Sequence, residues 1–251
     1  MSPRYAVYFA PGETSPWWTF GAHWLGRNAC NDTPLPQPRI DEIAPKALFD
    51  LTAEPKRYGF HATLKAPFRL VAGHDEASLM LRLQSLAQQL SPVALGPLTA
   101  VSLGSFVALV PATGNPQLQA FAASCVTELD DMRAALLPAE LARRQPATLD
   151  CRGAELLATY GYPHVLERFR FHLTLTGPTH AEMAAKVIRA VTPDVDRLNG
   201  EAPLQLDRLC VFREASPGLA FQRIGDVPLP RAPIDGQNPI KTYQSHSGHL
   251  S

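Results

Sequence analysis

Two pentapeptides share four of their five residues: Phe60-His61-Ala62-Thr63-Leu64 and Phe171-His172-Leu173-Thr174-Leu175, with the histidines 111 positions apart. On an extended chain alternate side chains face the same way. In the first copy Phe60, Ala62 and Leu64 then form an apolar face, leaving His61, Thr63 and Lys65 on the other. In the second, Phe169, Phe171, Leu173 and Leu175 face the core and Arg170, His172, Thr174 and Thr176 face away. Imidazole gives or takes a proton near neutrality, with an unperturbed pKa of about 6.5. Two of them on opposite sides of a phosphorus can act as base and acid in line, while Thr63 and Thr174 hydrogen-bond the non-bridging oxygens. This chemistry calls for no metal and no cofactor.

The elements around each motif repeat in kind. A helix over Glu76–Leu90 and an alternating run from Pro97 to Val110 follow the first copy. A helix over His180–Val191, an alternating run from Pro203 through Phe212 and a strand near Leu219–Ile224 follow the second. Each half thus reads as motif strand, helix and strand pair, giving an α+β fold of two lobes about one central cleft. The spacing predicts a lobe over 1–112, a helical connector and second lobe over 113–232, and a disordered tail over 233–251. In the connector, Asn115-Pro116 starts a helix to about Leu137, with short helices at Pro138–Arg144 and Gly153–Thr159. Tyr5–Ala10 is a first strand; the proline-rich stretch from Pro11 to Arg57, with a helix at Pro45–Leu51, reads as an irregular lid.

Composition narrows the function. With 23 basic and 23 acidic residues the chain has no net charge, which argues against long nucleic acid and leaves room for a local basic pocket. No apolar run approaches the ~18 residues that span a bilayer. Cys30, Cys125, Cys151 and Cys210 form no C-x-x-C pair, so a cytoplasmic location is expected. Glycine-rich phosphate loops of the Walker or dinucleotide type are absent. His164 and His180 lack the spacing of a metal-ligand pair, and Trp17, Trp18 and Trp24 beside His23 read as core before a base-stacking surface.

The paired motifs resemble the two H-x-[ST]-x motifs of the two-histidine (2H) phosphoesterase superfamily, over Arg4 to about Pro228. Arg4–Pro11, Arg57–Phe68 and Tyr160–Pro163 are similar to a bacterial branch named for phosphonate metabolism and encoded beside carbon-phosphorus lyase genes. The resemblance implies a bilobal, pseudo-twofold fold with two antiparallel sheets, and metal-independent work on phosphoesters. It puts His61, Thr63, His172 and Thr174 at the motif positions. Lys65 shares the polar face of His61 and is a further phosphate anchor. Arg57, Tyr58, Arg170, Tyr8 and Tyr162 are candidate substrate contacts. The expected activity is hydrolysis of a cyclic or diester phosphate on a small sugar or nucleotide. The alternatives are an RNA 2′,3′-cyclic phosphodiesterase or ligase-like enzyme, and a non-catalytic module that binds a phosphorylated ligand.

Overall fold

A computed structural model describes residues 2–144 and 149–230; the expected tail over 233–251 lies outside them. The chain starts with strand β1 (Arg4–Phe9), buried from Tyr5 onward, as Tyr5–Ala10 in the sequence suggests. The proline-rich stretch that follows is not irregular. It holds α1 (Pro16–Leu25), a short hairpin of β2 (Arg27–Asn28) and β3 (Thr33–Pro34), and α2 (Pro45–Tyr58). Helix α1 has its own start and stop signals: the Ser15 side chain accepts from the Trp17 N–H, Pro16 occupies the first turn, and Gly26 closes the helix at φ 71°. Its buried face carries Trp17, Trp18 and Trp24.

Helix α2 runs seven residues past its expected end, through an internal Pro55. Proline has no N–H to offer the carbonyl four residues back. The Leu51 carbonyl accepts instead from the Gly177 N–H at 2.7 Å, just beyond the second motif. Trp24 adds a second tie, donating from Nε1 to the Leu175 carbonyl at 2.9 Å. On the other side, Gly21 of α1 lies so close to Phe60 that a Cβ there would stand 2.0 Å from its ring, and α2 runs through Gly59 directly into the first motif. The segment expected to cover the cleft is therefore a brace that holds both motifs.

The first motif leads into β4 (Ala62–Phe68), followed by α3 (Glu76–Ala87), the short β5 (Val93–Ala94) and the hairpin β6 (Leu98–Leu103) and β7 (Phe106–Pro111). Helix α3 begins with a capping box between Asp75 and Ser78. Then come α4 (Pro116–Thr127), which ends before a turn instead of reaching Leu137, α5 (Pro138–Arg144) and α6 (Cys151–Tyr160). The second motif contributes β8 (Leu173–Thr174), and α7 (Ala181–Glu201), β9 (Gln205–Leu206), β10 (Arg208–Glu214) and β11 (Gln222–Pro228) complete the fold. His180 caps α7, and the buried Val195 and Leu198 carry its apolar stripe past the expected end at Val191.

The pairing is α+β with antiparallel sheets, and the sheets cross the two halves of the sequence. One sheet has the order β11-β10-β1-β4, another β6-β7-β8, and β5 pairs with β9. Each motif strand is thus completed by the hairpin of the other half. Helix α3 packs on β10 and β11, and α7 on β6 and β7. One apolar core runs through both sheets, and a smaller cluster of Tyr8, Trp18, Phe212 and Phe221 backs the first motif. No helix among the described residues is long and apolar enough to cross a membrane.

The close approach at Gly21 generates a prediction. Gly21→Ala adds a methyl where the Phe60 ring stands, and overpacking of this kind costs about 1–3 kcal/mol, more than the helical preference for alanine returns. Urea unfolding should show the variant destabilised; a midpoint at or above that of the wild type would refute the brace.

Candidate active site

Both histidines lie one residue ahead of their strands, in extended chain. Each is pinned in the same way. His61 Nδ1 lies 2.8 Å from the Gly59 carbonyl and His172 Nδ1 lies 2.8 Å from the Arg170 carbonyl. A carbonyl only accepts, so Nδ1 carries the proton in both rings and Nε2 is left as the basic nitrogen. Thr63 Oγ1 stands 3.3 Å from His61 Nε2 and donates to it. The repeat seen in the residues thus recurs as a repeat of hydrogen bonds from ring to backbone.

Gly59, at φ 80°, makes the turn out of α2 that allows the first of these contacts. Tyr8 stacks on the His61 ring with centroids 3.7 Å apart and planes 23° from parallel. Phe106 tilts against His172 at 5.7 Å. Burial brings the pKa of His61 down to about 4, against the opposing hydrogen bond to the Gly59 carbonyl and with repulsion between the protonated forms of His61 and His172 adding to the lowering. Burial also lowers that of His172, despite the Arg170 carbonyl. Both rings are therefore neutral bases at pH 7.

The cleft in front of them comprises two adjoining cavities. The first, of ≈ 430 Å³, is lined by His61, Thr63, Thr174 and Thr176 together with Arg4, Tyr8, Glu54, Arg57, Tyr58, Arg144 and Tyr162. The second, of ≈ 700 Å³, is lined by His172, Arg170 and His164. Thr63, Ala66, Phe106 and Tyr162 border both, which places Thr63 between the two imidazoles. Thr176 is committed elsewhere, its Oγ1 accepting from the buried Val107 N–H at 3.0 Å.

Of the expected contacts, Arg57, Tyr58, Tyr8 and Tyr162 line the first cavity and Arg170 the second. Lys65 does neither. The register of β1 with β4 runs Phe9 to Ala62 and Tyr8 to Thr63, then shifts to Val7 opposite Lys65. That bulge turns Lys65 onto the face of Val7, away from the face shared by Tyr8 and Thr63. Lys65 is buried, with Nζ 2.9 Å from the Val126 carbonyl and 3.2 Å from Asp130, so it ties β4 to the end of α4 and anchors no phosphate. Ala66 takes its place at the cleft.

Two cations absent from the expected set also stand in the wall. Arg4 shares the parity of Ala6 and Tyr8 on β1, a signal present in the sequence. Arg144 ends α5 and comes to the cleft through the chain's path alone. Arg4 and Arg57 both bind Glu214, whose side chain is wholly buried. Burial pushes the Glu214 carboxyl up, but hydrogen bonds from Arg4, the Gly218 N–H and Arg57 outweigh it and hold the group below the ordinary carboxylate range. One carboxylate thus serves two guanidinium groups, and the wall keeps an excess of positive charge. In chemical terms the cleft offers basic imidazole nitrogens, hydroxyls and a cationic wall, a set suited to a phosphate ester.

Two curated relatives match along most of the chain. A protein of Janthinobacterium sp. (strain Marseille) named ribose 1,5-bisphosphate phosphokinase PhnN is 36% identical over 250 residues, covering 98% of this chain and 54% of the relative. A protein of the same name from Laribacter hongkongensis (strain HLHK9) is 35% identical over 220 residues, covering 87% of this chain and 50% of the relative. The chain thus spans about half the length of the curated relatives it matches. Their names correct the expected activity. Both are phosphokinases, enzymes that transfer a phosphoryl group, so the expectation of a hydrolase or cyclic phosphodiesterase is overturned. The RNA-end and non-catalytic alternatives fit those names no better. Residues 63–222, which include Thr63 and the whole second motif, match the model of a family described as a protein of unknown function, DUF1045, and the chain belongs to that family.

Proposed function

We propose that the cleft holds a small phosphorylated sugar and conducts proton transfer at its phosphoryl group, as part of a phosphoryl-transfer system of the ribose 1,5-bisphosphate phosphokinase kind. One observation supports this reading: two imidazoles, each with Nδ1 fixed on the carbonyl two residues before it and Nε2 left basic, line two adjoining cavities that share Thr63, with a cationic wall in the first. A neutral imidazole takes the proton from the hydroxyl oxygen that attacks phosphorus. The second takes a proton from solvent beforehand and gives it to the oxygen that departs, and the first ring returns its proton to solvent to close the cycle. Thr63, on turning its hydroxyl from His61 Nε2 to the bound phosphoryl group, and Thr174 donate to the non-bridging oxygens, where negative charge is rearranged in the transition state. The two-histidine architecture, the division into lobes and the phosphonate-associated branch belong to the same reading, and the names of the relatives support the last.

The wild type should act on ribose 1,5-bisphosphate supplied with a nucleoside triphosphate, followed by phosphorus NMR. His61→Gln and His172→Gln should each slow the reaction by about 10²- to 10⁴-fold, the range of general acid-base catalysis, with the melting temperature little changed. Full turnover in either variant would remove the pair from the chemistry.

A second outcome follows from burial. The folded state keeps His61 neutral down to about pH 4, whereas an unfolded chain protonates it near 6.5. Between those values the unfolded state binds more protons, so stability is full above about pH 6.5 and falls as the pH drops toward 4. From this ring alone the loss between pH 7 and pH 5 is about 2 kcal/mol. Urea unfolding at the two pH values should show a smaller loss in His61→Gln than in the wild type. Equal losses would mean that His61 titrates as a solvated imidazole.

A further inference from the structure

The first cavity contains more phosphate-binding groups than one reacting ester uses. Tyr8 is 1% exposed, and among the described residues its hydroxyl has no hydrogen-bond partner. Tyr162 is half-buried, and its hydroxyl likewise makes no hydrogen bond among the described residues. Among the described residues the one buried side-chain nitrogen or oxygen without a partner is Arg69 Nε, so the two phenolic oxygens are not sealed from solvent. Both side chains line the cavity, so a ligand there is the partner available to them.

The cations beside them are incompletely neutralised. Arg144 donates to the Gly161 carbonyl at 2.5 Å and the Pro67 carbonyl at 2.6 Å, contacts that aim the guanidinium without cancelling its charge. Among the described residues no carboxylate pairs with it. Its guanidinium carbon stands 5.8 Å from the centre of the Tyr162 ring. Arg4 shares Glu214 with Arg57. Arg4, Arg144, Tyr8 and Tyr162 all line the first cavity, so the four side chains border one region. Because Tyr8 stacks on the His61 ring, this region lies beside the proton-transfer site, in the same cavity.

Two guanidinium groups and two phenolic hydroxyls match the charge and the oxygens of a phosphate monoester. We propose that Arg4, Arg144, Tyr8 and Tyr162 form a second phosphate subsite, which anchors the non-reacting phosphate of a sugar that carries two while the histidine pair works on the other. This rests on the reading of the cleft as a phospho-sugar site and names the substrate class that site selects. A cavity of ≈ 430 Å³ falls in the range of small-ligand sites, and the relatives' own name carries two phosphates on one ribose.

Calorimetric titrations at pH 7.5 separate the two ideas. The probes are inorganic phosphate, ribose 5-phosphate and ribose 1,5-bisphosphate, on the full chain and on Arg144→Met, Arg144→Lys, Tyr162→Phe and the double variant His61→Gln with His172→Gln. The bisphosphate should bind the wild type at least tenfold tighter than the monophosphate. Arg144→Met should weaken bisphosphate and inorganic phosphate by roughly tenfold or more, the scale of one charge-assisted contact. Arg144→Lys should restore part of that loss. The histidine double variant should still bind inorganic phosphate. If Arg144→Met does not fold, by its thermal transition, Tyr162→Phe removes one hydroxyl and should weaken both ligands several-fold. Inorganic phosphate affinity indifferent to Arg144 and Tyr162 overturns the subsite. Inorganic phosphate that depends on them, with ribose 1,5-bisphosphate binding no tighter, leaves the subsite standing and removes the sugar reading.

Discussion

The two motifs lie in different sheets, and one helical pair imposes their common orientation. The Leu51 carbonyl is free because Pro55 has no N–H to give it, and it takes the Gly177 N–H instead. Trp24 takes the Leu175 carbonyl. On the other flank Gly21 lets α1 settle on Phe60, and the C-terminus of α2 turns through Gly59 into His61. Helices α1 and α2 thus touch the backbone of the second motif and the core side of the first. Without them the motif strands would share only the general apolar core, which fixes distance loosely and direction hardly at all.

The buried Glu214 completes this arrangement from the opposite side. It belongs to β10, yet it binds Arg4 at the start of β1 and Arg57 at the end of α2, so the C-terminal hairpin is tied to the strand and helix that frame His61. A buried carboxylate requires full compensation, and a buried ion pair is weak support for stability in itself. What it supplies is position. Its two guanidinium partners are held at the cleft wall with their backs neutralised and with net positive charge to spare, which explains how a chain without net charge presents a cationic site. The local field comes from three arginines, Arg4, Arg57 and Arg144, and not from the average composition.

Much of the site was legible because strand parity is a local rule. His61 with Thr63 and His172 with Thr174 reach the cleft as the alternation requires, and the apolar sides of both motifs are buried. The same rule misplaced Lys65, because a bulge depends on which residue of β1 opposes which residue of β4, a pairing that no window of sequence records. Arg4 was open to inference from its parity with Tyr8. Arg144 was not, since it arrives from the end of a seven-residue helix. The prolines misled in another way: Pro16 and Pro45 mark helix starts, whereas their density between Pro11 and Arg57 suggested an irregular lid. The exchange of hairpins between halves was also beyond local patterning, because both pairings of a motif strand with a hairpin satisfy the same alternation.

The correction of the expected activity has a physical side. A histidine pair, hydroxyls and a cationic wall stabilise charge on a phosphoryl group whichever oxygen attacks it; the residues define the centre at which chemistry occurs more sharply than the acceptor. What distinguishes acceptors is the remainder of the cavity, where a sugar would be held. There the structure places Glu54, Arg4, Arg144 and the phenols of Tyr8 and Tyr162, groups suited to orienting a polar, doubly charged molecule. The pinned imidazoles bear on the same choice: with Nδ1 held on the backbone and burial favouring the neutral form of both rings, Nε2 of each is a base first. On the proposed reading the first proton to move comes from a hydroxyl of the ligand held in the cleft, and the positioning groups determine which hydroxyl that is.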